Sequence, residues 1–563
     1  MRTNKVLAFG RSAISAIAIL WASSGHGQAL PTTPNPASAE PDDGAVEDIV
    51  ITGSSLRGVA PIGSNLVSIG RDAIVRTGAI SATELTNTVP AITTSGSAPV
   101  GENVFSYFSP QIHSLAGSAS NTTLVIVDGL RMPGGGVQYA QTDPNIIPTS
   151  AIQRVEVLAD GASSVYGSDA VAGVVNYITR RTFDGVEIGG KHGFADKWHS
   201  WDGNAILGKT WDTGGVYVAA QYSYQSPLHN SSRDFLSTGD YRSIGGRNVQ
   251  SFNCSPATIR TPASGNNVYL TPESTSAVPN VANNAPCNLS IYGDAIQSNA
   301  RGTVLARVTN TFGKLTTTGT INFNRLKGSR ALGPGTITSA TAFGPGSGRG
   351  GQINPFYLAP AGDAAAAQES VNYAAIRPDN KYGKQSASND TFYLTGTAEY
   401  RFTDKASIKL SNAYGHSVSR LDARGIFCSS CAFLGLNGTS QSSGSTTASN
   451  VAGENVVTLN LPLTTTNALD IWRPNGGQTS AAVFNRLYSN NTALVHTNNF
   501  YQAKLEGQAE LFSLPAGAVR MAIGGEYLTS SQRVESVDPQ NTINTSKGAT
   551  YISYLLKRKV ASG

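Results

Sequence analysis

Two spacings of apolar residues divide this chain. Between roughly Pro61 and Arg181 the apolar positions fall at helical and buried-strand intervals. Asp72 to Pro90 places Ile74, Val75, Ile80 and Leu85 on a helical repeat that Pro90 ends, which predicts a helix. Leu124 to Val127 is a short apolar run closed by Asp128-Gly129, the mark of a buried strand and its turn. Ala151 to Leu158, with Ile152, Val155 and Val157, is another strand; Ala170 to Thr179 is a third apolar stretch, too short for a long helix. Together these predict a small α+β domain of roughly 120 residues, large enough for its own core.

After Thr182 the repeat becomes two. Val216, Val218, Ala220, Tyr222 and Tyr224 share one face, and Gln221, Ser223 and Gln225 the other. The clearest hairpin runs from Thr391 to Ser417. Phe392, Leu394, Ala398, Tyr400 and Phe402 oppose Thr397, Glu399 and Arg401; after Thr403-Asp404-Lys405 the return strand sets Ile408, Leu410 and Tyr414 against Ser407, Lys409 and Ser411. Phe500 to Tyr527 repeats the theme around Pro515-Ala516-Gly517. A soluble sandwich would show the same alternation. Strands of about ten residues or more, short turns on one side, long polar loops on the other and aromatics near strand ends favour an antiparallel transmembrane β-barrel.

Composition sharpens this. Of 563 residues only 14% are charged, with 60 Gly, 21 Tyr and 18 Phe. The net charge of +5 comes without a dense Lys/Arg run, which argues against nucleic-acid binding. Arg2, Lys5 and Arg11 followed by an apolar run from Ala13 to Ala22 read as a signal peptide over residues 1–28. That run is half the roughly 20 residues a spanning helix needs, and no later stretch is longer, so a membrane-embedded chain must cross as a barrel. Residues 29–46, with Pro31, Pro34, Pro36 and Pro41, form a flexible Pro-rich linker. Glu47, Asp48, Ile49, Val50, Ile51, Thr52, Gly53 and Ser54 then make a short β-branched run that, taken alone, equally suits an edge strand.

Cys254, Cys287, Cys428 and Cys431 allow three disulfide connectivities; the local reading pairs Cys254 with Cys287 and Cys428 with Cys431. Zinc is the weaker alternative, because Cys428 and Cys431 lack a second ligand pair at matching distance. No metal site or cofactor is expected. Nor is an enzyme: Gly346-Ser347-Gly348-Arg349-Gly350-Gly351 fits the dinucleotide glycine pattern but lacks its strand and helix, and no hydrolase elbow or metalloprotease spacing occurs.

Thr123 to Arg131 resembles the strand and turn of the plug domain of TonB-dependent outer-membrane transporters. Ile147-Pro148, Ile152-Gln153-Arg154-Val155-Glu156-Val157-Leu158, Asp160-Gly161-Ala162-Ser163, Tyr166-Gly167-Ser168-Asp169-Ala170 and Gly173 to Thr179 continue the same pattern. The resemblance implies an α+β plug (55–182) inside a 22-stranded antiparallel barrel, here residues 183–563, which would be too short to complete it. That shortness and the C-terminus, which lacks a terminal aromatic, suggest a truncated or frameshifted gene product, or a fragment. Residues 47–54 are then similar to the TonB box, through which the energy-coupling protein TonB would bind Glu47, Asp48, Ile49, Val50, Ile51 and Thr52 by strand addition. About 20 residues between leader and box leave no room for a signalling domain.

The resemblance further implies plug–barrel contacts through Arg154 and Glu156 with Glu506 or Glu526. An arginine common in the family before the variable plug loop is replaced by Leu115-Ala116-Gly117. The loops 100–113 and 132–139 would face ligand, with Phe105, Tyr107, Phe108, Arg131, Gln138 and Tyr139 as contacts to a siderophore, cobalamin or oligosaccharide. Those aromatics could equally pack plug against wall. The implied partners are TonB, outer-membrane lipid and a scarce small-molecule ligand, and the implied place is the outer membrane. A non-transporting receptor, a degenerate remnant and a passive porin are the alternatives; a porin needs neither plug nor box.

Overall fold

The computed structural model describes residues 52–53, 66–79, 81–86, 88–95, 109–113, 122–136, 141–159, 162–260, 267–269, 286–359, 366–446, 461–515, 517–536 and 558–562. The leader, the linker and Glu47, Asp48, Ile49, Val50 and Ile51 lie outside them, as do Phe105, Tyr107, Phe108, Gln138 and Tyr139.

The plug contains β1 (Leu66–Gly70), α1 (Arg71–Thr77), α2 (Ala82–Thr86), β2 (Ile92–Ser95), β3 (Ser109–Ile112), β4 (Thr123–Val127), β5 (Leu130–Arg131), β6 (Ile152–Leu158), α3 (Ser163–Tyr166) and β7 (Gly173–Thr179). Its sheet runs β1-β6-β7-β4-β5, with β4 and β7 parallel and the other neighbours antiparallel. Every residue of β4 is buried, as suits a strand covered on both faces. Ile152, Val155, Val157, Val175 and Tyr177 pack with Ile74, Leu85 and Ile112 into one core.

The helical repeat expected over Asp72 to Pro90 resolves into two short helices. Gly78 takes the left-handed conformation (φ 59°) and its amide closes on the Val75 carbonyl, which stops α1 as a glycine cap does. Ser81 Oγ then accepts from the Glu84 amide (3.1 Å) at the start of α2. Val75 consequently points to solvent. Gly173 is required for a different reason: at φ +143° a Cβ there would lie 2.2 Å from the Leu158 carbonyl oxygen.

Beyond the plug the chain forms β8 (Gly185–Ala195), β9 (Trp198–Trp211) and β10 (Gly214–Gln225), then a long loop holding β11 (Leu228–His229), α4 (Asp234–Ser237), β12 (Thr258–Arg260), β13 (Asn267–Tyr269) and β14 (Asp294–Ile296). β15 (Ser298–Phe312) and β16 (Leu315–Ala331) follow, then β17 (Thr336–Phe343) and β18 (Gln368–Ala374) in a second loop. β19 (Lys384–Thr403) and β20 (Ala406–Ile426) precede a third loop with α5 (Ser429–Asn437) and α6 (Ala481–Leu487); β21 (Asn490–Leu514), β22 (Gly517–Ser536) and β23 (Arg558–Ser562) follow in the wall.

Among the described residues the wall is one antiparallel sheet of ten strands in the order β23-β22-β21-β20-β19-β16-β15-β10-β9-β8. Tight turns join its strands on one side; Phe312 pairs Leu315 and Thr403 pairs Ala406. Tyr217 and Ala219 are buried against the plug core, whereas Val216, Val218 and Tyr222 are exposed on the far face. Leu394, Tyr400, Phe402, Ile408, Leu410 and Tyr414 continue that exposed apolar face. An apolar outer surface on a sheet whose inner surface holds a folded domain is the arrangement of a barrel wall in lipid. Polar groups on that surface satisfy one another: His416 Nδ1 lies 2.7 Å from Asn499 Oδ1, and Tyr501 donates to Asn412 (3.1 Å).

The three long loops fold into a single cap. Strands β13-β12-β18-β17 form a sheet, and Ile259, Ile337, Val371, Tyr373, Trp472 and Phe484 pack with α5 and α6 into a second core. Disulfides join Cys254 to Cys287 and Cys428 to Cys431.

Candidate functional site

The point where the N-terminal segment meets the plug is made by β6 and β7. In β6 the side chain of Glu156 is buried, and its Oε2 accepts from both the Thr52 amide (2.9 Å) and the Thr52 hydroxyl (2.6 Å). Its other oxygen accepts from Arg154 Nε (2.8 Å). Asn176, the partner of Glu156 across the β6–β7 ladder, donates to Thr52 Oγ1 (3.0 Å). The Gly53 amide reaches the Tyr166 hydroxyl at 3.3 Å, and burial raises the pKa of that phenol. Hydrogen bonds to a charged, desolvated acceptor are among the stronger ones in proteins, so Thr52 is clipped to the plug sheet rather than lying loosely on it.

The plug is in turn held by the wall. Arg131, in β5, donates to Asp169 (2.7 Å) and to the Tyr166 carbonyl (2.9 Å), and its Nε lies 3.6 Å from Glu526 in β22. Its backbone is held too: the amide donates to Gln502 (2.9 Å), and the carbonyl accepts from the Tyr393 hydroxyl (2.9 Å). Asp128, at φ 50° in the turn after β4, accepts from the Thr179 amide and hydroxyl and pairs with Arg307 of β15 at 2.6 Å. Asp143 pairs with Arg301 at 2.6 Å, both nearly buried. Glu187 of β8 bridges Arg71 (2.6 Å) and Arg180 (2.8 Å). Burial and the neighbouring Arg180 lower the pKa of Arg71, and Glu187 opposes both effects.

Main-chain atoms complete the grip. Asn498 donates to the Gly134 carbonyl (3.0 Å), Ser419 Oγ accepts from the Gly136 amide (2.9 Å), and His496 donates to the Gly136 carbonyl. Thr303 and Asn322 both donate to the Ile146 carbonyl.

Several sequence-based expectations land differently. Arg154 pairs with Glu156 inside the plug, and Glu506 pairs with Lys504 of its own strand (2.6 Å). The plug arginine that approaches Glu526 is Arg131, which was expected at the ligand; only 16% of its side chain is exposed. Within the loops expected to face ligand, Ser109–Ile112 is a strand and Gly134 to Gly136 is fastened to the wall. Sequence reasoning missed Asp128, Asp143, Asn176, Arg301 and Arg307. A signal existed for two of them, since strand alternation puts Arg301 and Arg307 on one face of β15 with Thr303, Leu305 and Thr309, and the structure buries those three. Among the described residues no cluster of His, Cys, Asp and Glu could hold a metal ion.

Residues 61–174 match the family profile described as the TonB-dependent Receptor Plug Domain. Solved structures that resemble the chain include the closed form of the ferric-catecholate import receptor Fiu from E. coli K12 (13% identity, 91% of this chain, 63% of that one, TM-score 0.40). The ferric citrate transporter FecA in unliganded form (12%, 84% and 58%, 0.38) and the ferripyoverdine receptor of the Pseudomonas aeruginosa outer membrane (11%, 87% and 56%, 0.38) are similar in the same degree. The chain spans between about half and two thirds of the length of the solved proteins it matches, from 48% to 66%.

Proposed function

We propose, from the premise that this chain is a TonB-dependent receptor by its plug, that it takes up a scarce ligand across the outer membrane under energy coupling from the periplasm. The observation that carries the reading is the Thr52–Glu156 clip. A segment expected to receive a partner strand ends at a residue bonded directly to the plug sheet, so a pull on that segment is delivered to β6 and β7. From there the wall contacts of Asp128, Arg131 and Asp143 are the bonds that resist.

No covalent chemistry is required of this arrangement. The ligand class is a siderophore-bound iron, cobalamin or an oligosaccharide, and TonB is the partner for residues 47–54. A passive porin is disfavoured because the wall's inner face is occupied by a bonded, folded domain.

The test is a strain lacking the chain, grown on panels of ferric siderophores, cobalamin and oligosaccharides as limiting sources. One class should show a growth defect, restored by the intact gene and not by a version lacking Ile49 to Thr52. Restoration by the deleted version would end the energy-coupled reading, and no defect on any source would favour the non-transporting receptor.

A further inference from the structure

On the wall's outer face, where the apolar belt stops, cations outnumber acids. Along β16 the exposed positions run Ile321, Phe323, Arg325 and Lys327. Arg325 stands about 33 Å along the strand from the tight turn at Leu315, at the usual rise per residue, which at barrel tilt is close to the roughly 25 Å height of an apolar band. Across the ladder Arg325 faces Asp390 of β19 at 3.3 Å, and Lys327 faces Ser388. Arg420 of β20 comes to the same carboxylate from the other side, also at 3.3 Å, and pairs with Ser388 in the register. Two cations therefore share one acid, and Lys327 on the same face of β16 adds a third positive charge beside them. The next acid along β20, Asp422, is already matched to Arg424 at 2.8 Å. Arg325 and Arg420 keep about half of their side-chain surface open, 54% and 52%.

Beside this cluster lies a groove of about 600 Å³ on the same outer face, with Arg325 among its lining. Its lining includes the small residues Gly203, Ala205, Ala220 and Gly302 and the larger Tyr222, Val304 and Phe323. Small residues sink the floor below neighbours that elsewhere on this face are large and apolar. An apolar trough that ends at an excess of positive charge at headgroup height is complementary to one kind of molecule: an acyl chain carrying an anionic head.

We infer that Arg325, Lys327 and Arg420 with the groove over β9, β10, β15 and β16 form a site for a phosphorylated lipid of the outer leaflet, the phosphate on the cations and one acyl chain in the trough. Arginine suits phosphate because its planar fork donates two bonds at once. Asp390 holds Arg325 and Arg420 in place and leaves two charges for the head. The site rests on the outer-membrane placement proposed above, and it differs from the transport path because it faces away from the plug.

The full chain is extracted from isolated outer membranes in mild detergent, and retained diphosphoryl lipid A is counted by native mass spectrometry. Three variants are compared: Arg325→Gln with Lys327→Gln, Gly203→Leu, and Arg242→Gln in the first long loop as a control. Gly203 has no atom within 4 Å of where a Cβ would stand, so leucine fills the trough without disturbing the sheet. Retention is expected to fall about tenfold in the double variant, as loss of two charge-assisted contacts would cause, and comparably in Gly203→Leu, with the control unchanged. Undiminished retention in the double variant overturns the site. Loss in the double variant with full retention in Gly203→Leu marks a site for phosphate alone and overturns the lipid assignment. A chain absent from the outer-membrane fraction, seen before any lipid is counted, overturns the placement and the lipid site together.

Discussion

Thr52 and Glu156 are joined twice through a single carboxylate oxygen, by amide and by hydroxyl, although 104 residues separate them. Glu156→Ala removes the shared acceptor. A buried hydrogen bond to a charged group is worth about 1.5–3 kcal/mol, so hydrogen-exchange protection of the Thr52 amide should fall at least tenfold. The Val175 amide, deep in the plug core, should keep its protection. Unchanged exchange at Thr52 would mean that the segment is fixed by other contacts.

Arg131 has two carboxylate neighbours, and their distances rank them. Asp169 at 2.7 Å makes a direct hydrogen bond, whereas Glu526 at 3.6 Å is an ion pair without one. Double-mutant cycles should give a coupling of about 1–3 kcal/mol for Arg131 with Asp169 and under about 1 kcal/mol with Glu526. Urea unfolding of the micelle-refolded protein supplies the free energies, and the reverse ranking would assign the main anchor to the wall.

Asp128 and Arg307 lie mostly out of solvent. Removing one member of such a pair strands the other, at a cost of about 3–5 kcal/mol. Asp128→Asn keeps a residue that tolerates the left-handed backbone at φ 50°, so it isolates the charge. Asp128→Ala should cost about 1 kcal/mol more for the strained turn. Thermal unfolding of both variants checks the difference; equal losses would show that the turn carries no strain.

The Cys254–Cys287 bond closes a loop of 33 residues, for which chain entropy predicts a contribution of about 3–5 kcal/mol. Its partners sit in the cap, where Cys254 is buried. Cys254→Ser with Cys287→Ser should raise proteolysis within residues 226–297 while the β19–β20 hairpin stays resistant. Cleavage of both regions would show that cap and wall unfold together.

In the second loop Asp379 is held down at about 2, first by its hydrogen bonds from Arg377 and then by the Lys381 amide. A carboxylate lowered on folding stabilises above its unfolded value, about 4, and loses that contribution as pH falls through about 2. Exchange at the Lys381 amide should therefore speed up between pH 4 and pH 2, beyond the intrinsic trend. Asp379→Asn should erase the step.

The wall was legible because its strands are long and alternate strictly. Tyr217 and Val218, or Ser407 and Ile408, fall on the faces their neighbours predict. The plug strands announced themselves as short β-branched runs. The cap did not, because Ile259, Ile337, Tyr373 and Trp472 come from three separate loops, and none alone repeats often enough to set a period. The wall contacts of the plug were hidden for a related reason. Asp128 and Arg307 are 179 residues apart, so nothing local marks either as half of a pair. The anchoring contacts of Arg131 were hidden too, because an arginine after a turn looks the same in sequence whether it faces a ligand or a carboxylate of its own chain.

The wall grasps the Gly134 to Gly136 stretch by its peptide groups, and the approach depends on what is missing opposite. Gly415 of β20 has no side chain where Pro133 presses in; a single methyl there would lie 2.6 Å from the proline ring. To make room the tripeptide would have to lift away, and Ser419, His496 and Asn498 would lose their partners in the same movement. One hydrogen atom at position 415 thus stands surety for three bonds, and the fit between the two bodies is set by an empty space as much as by any charge.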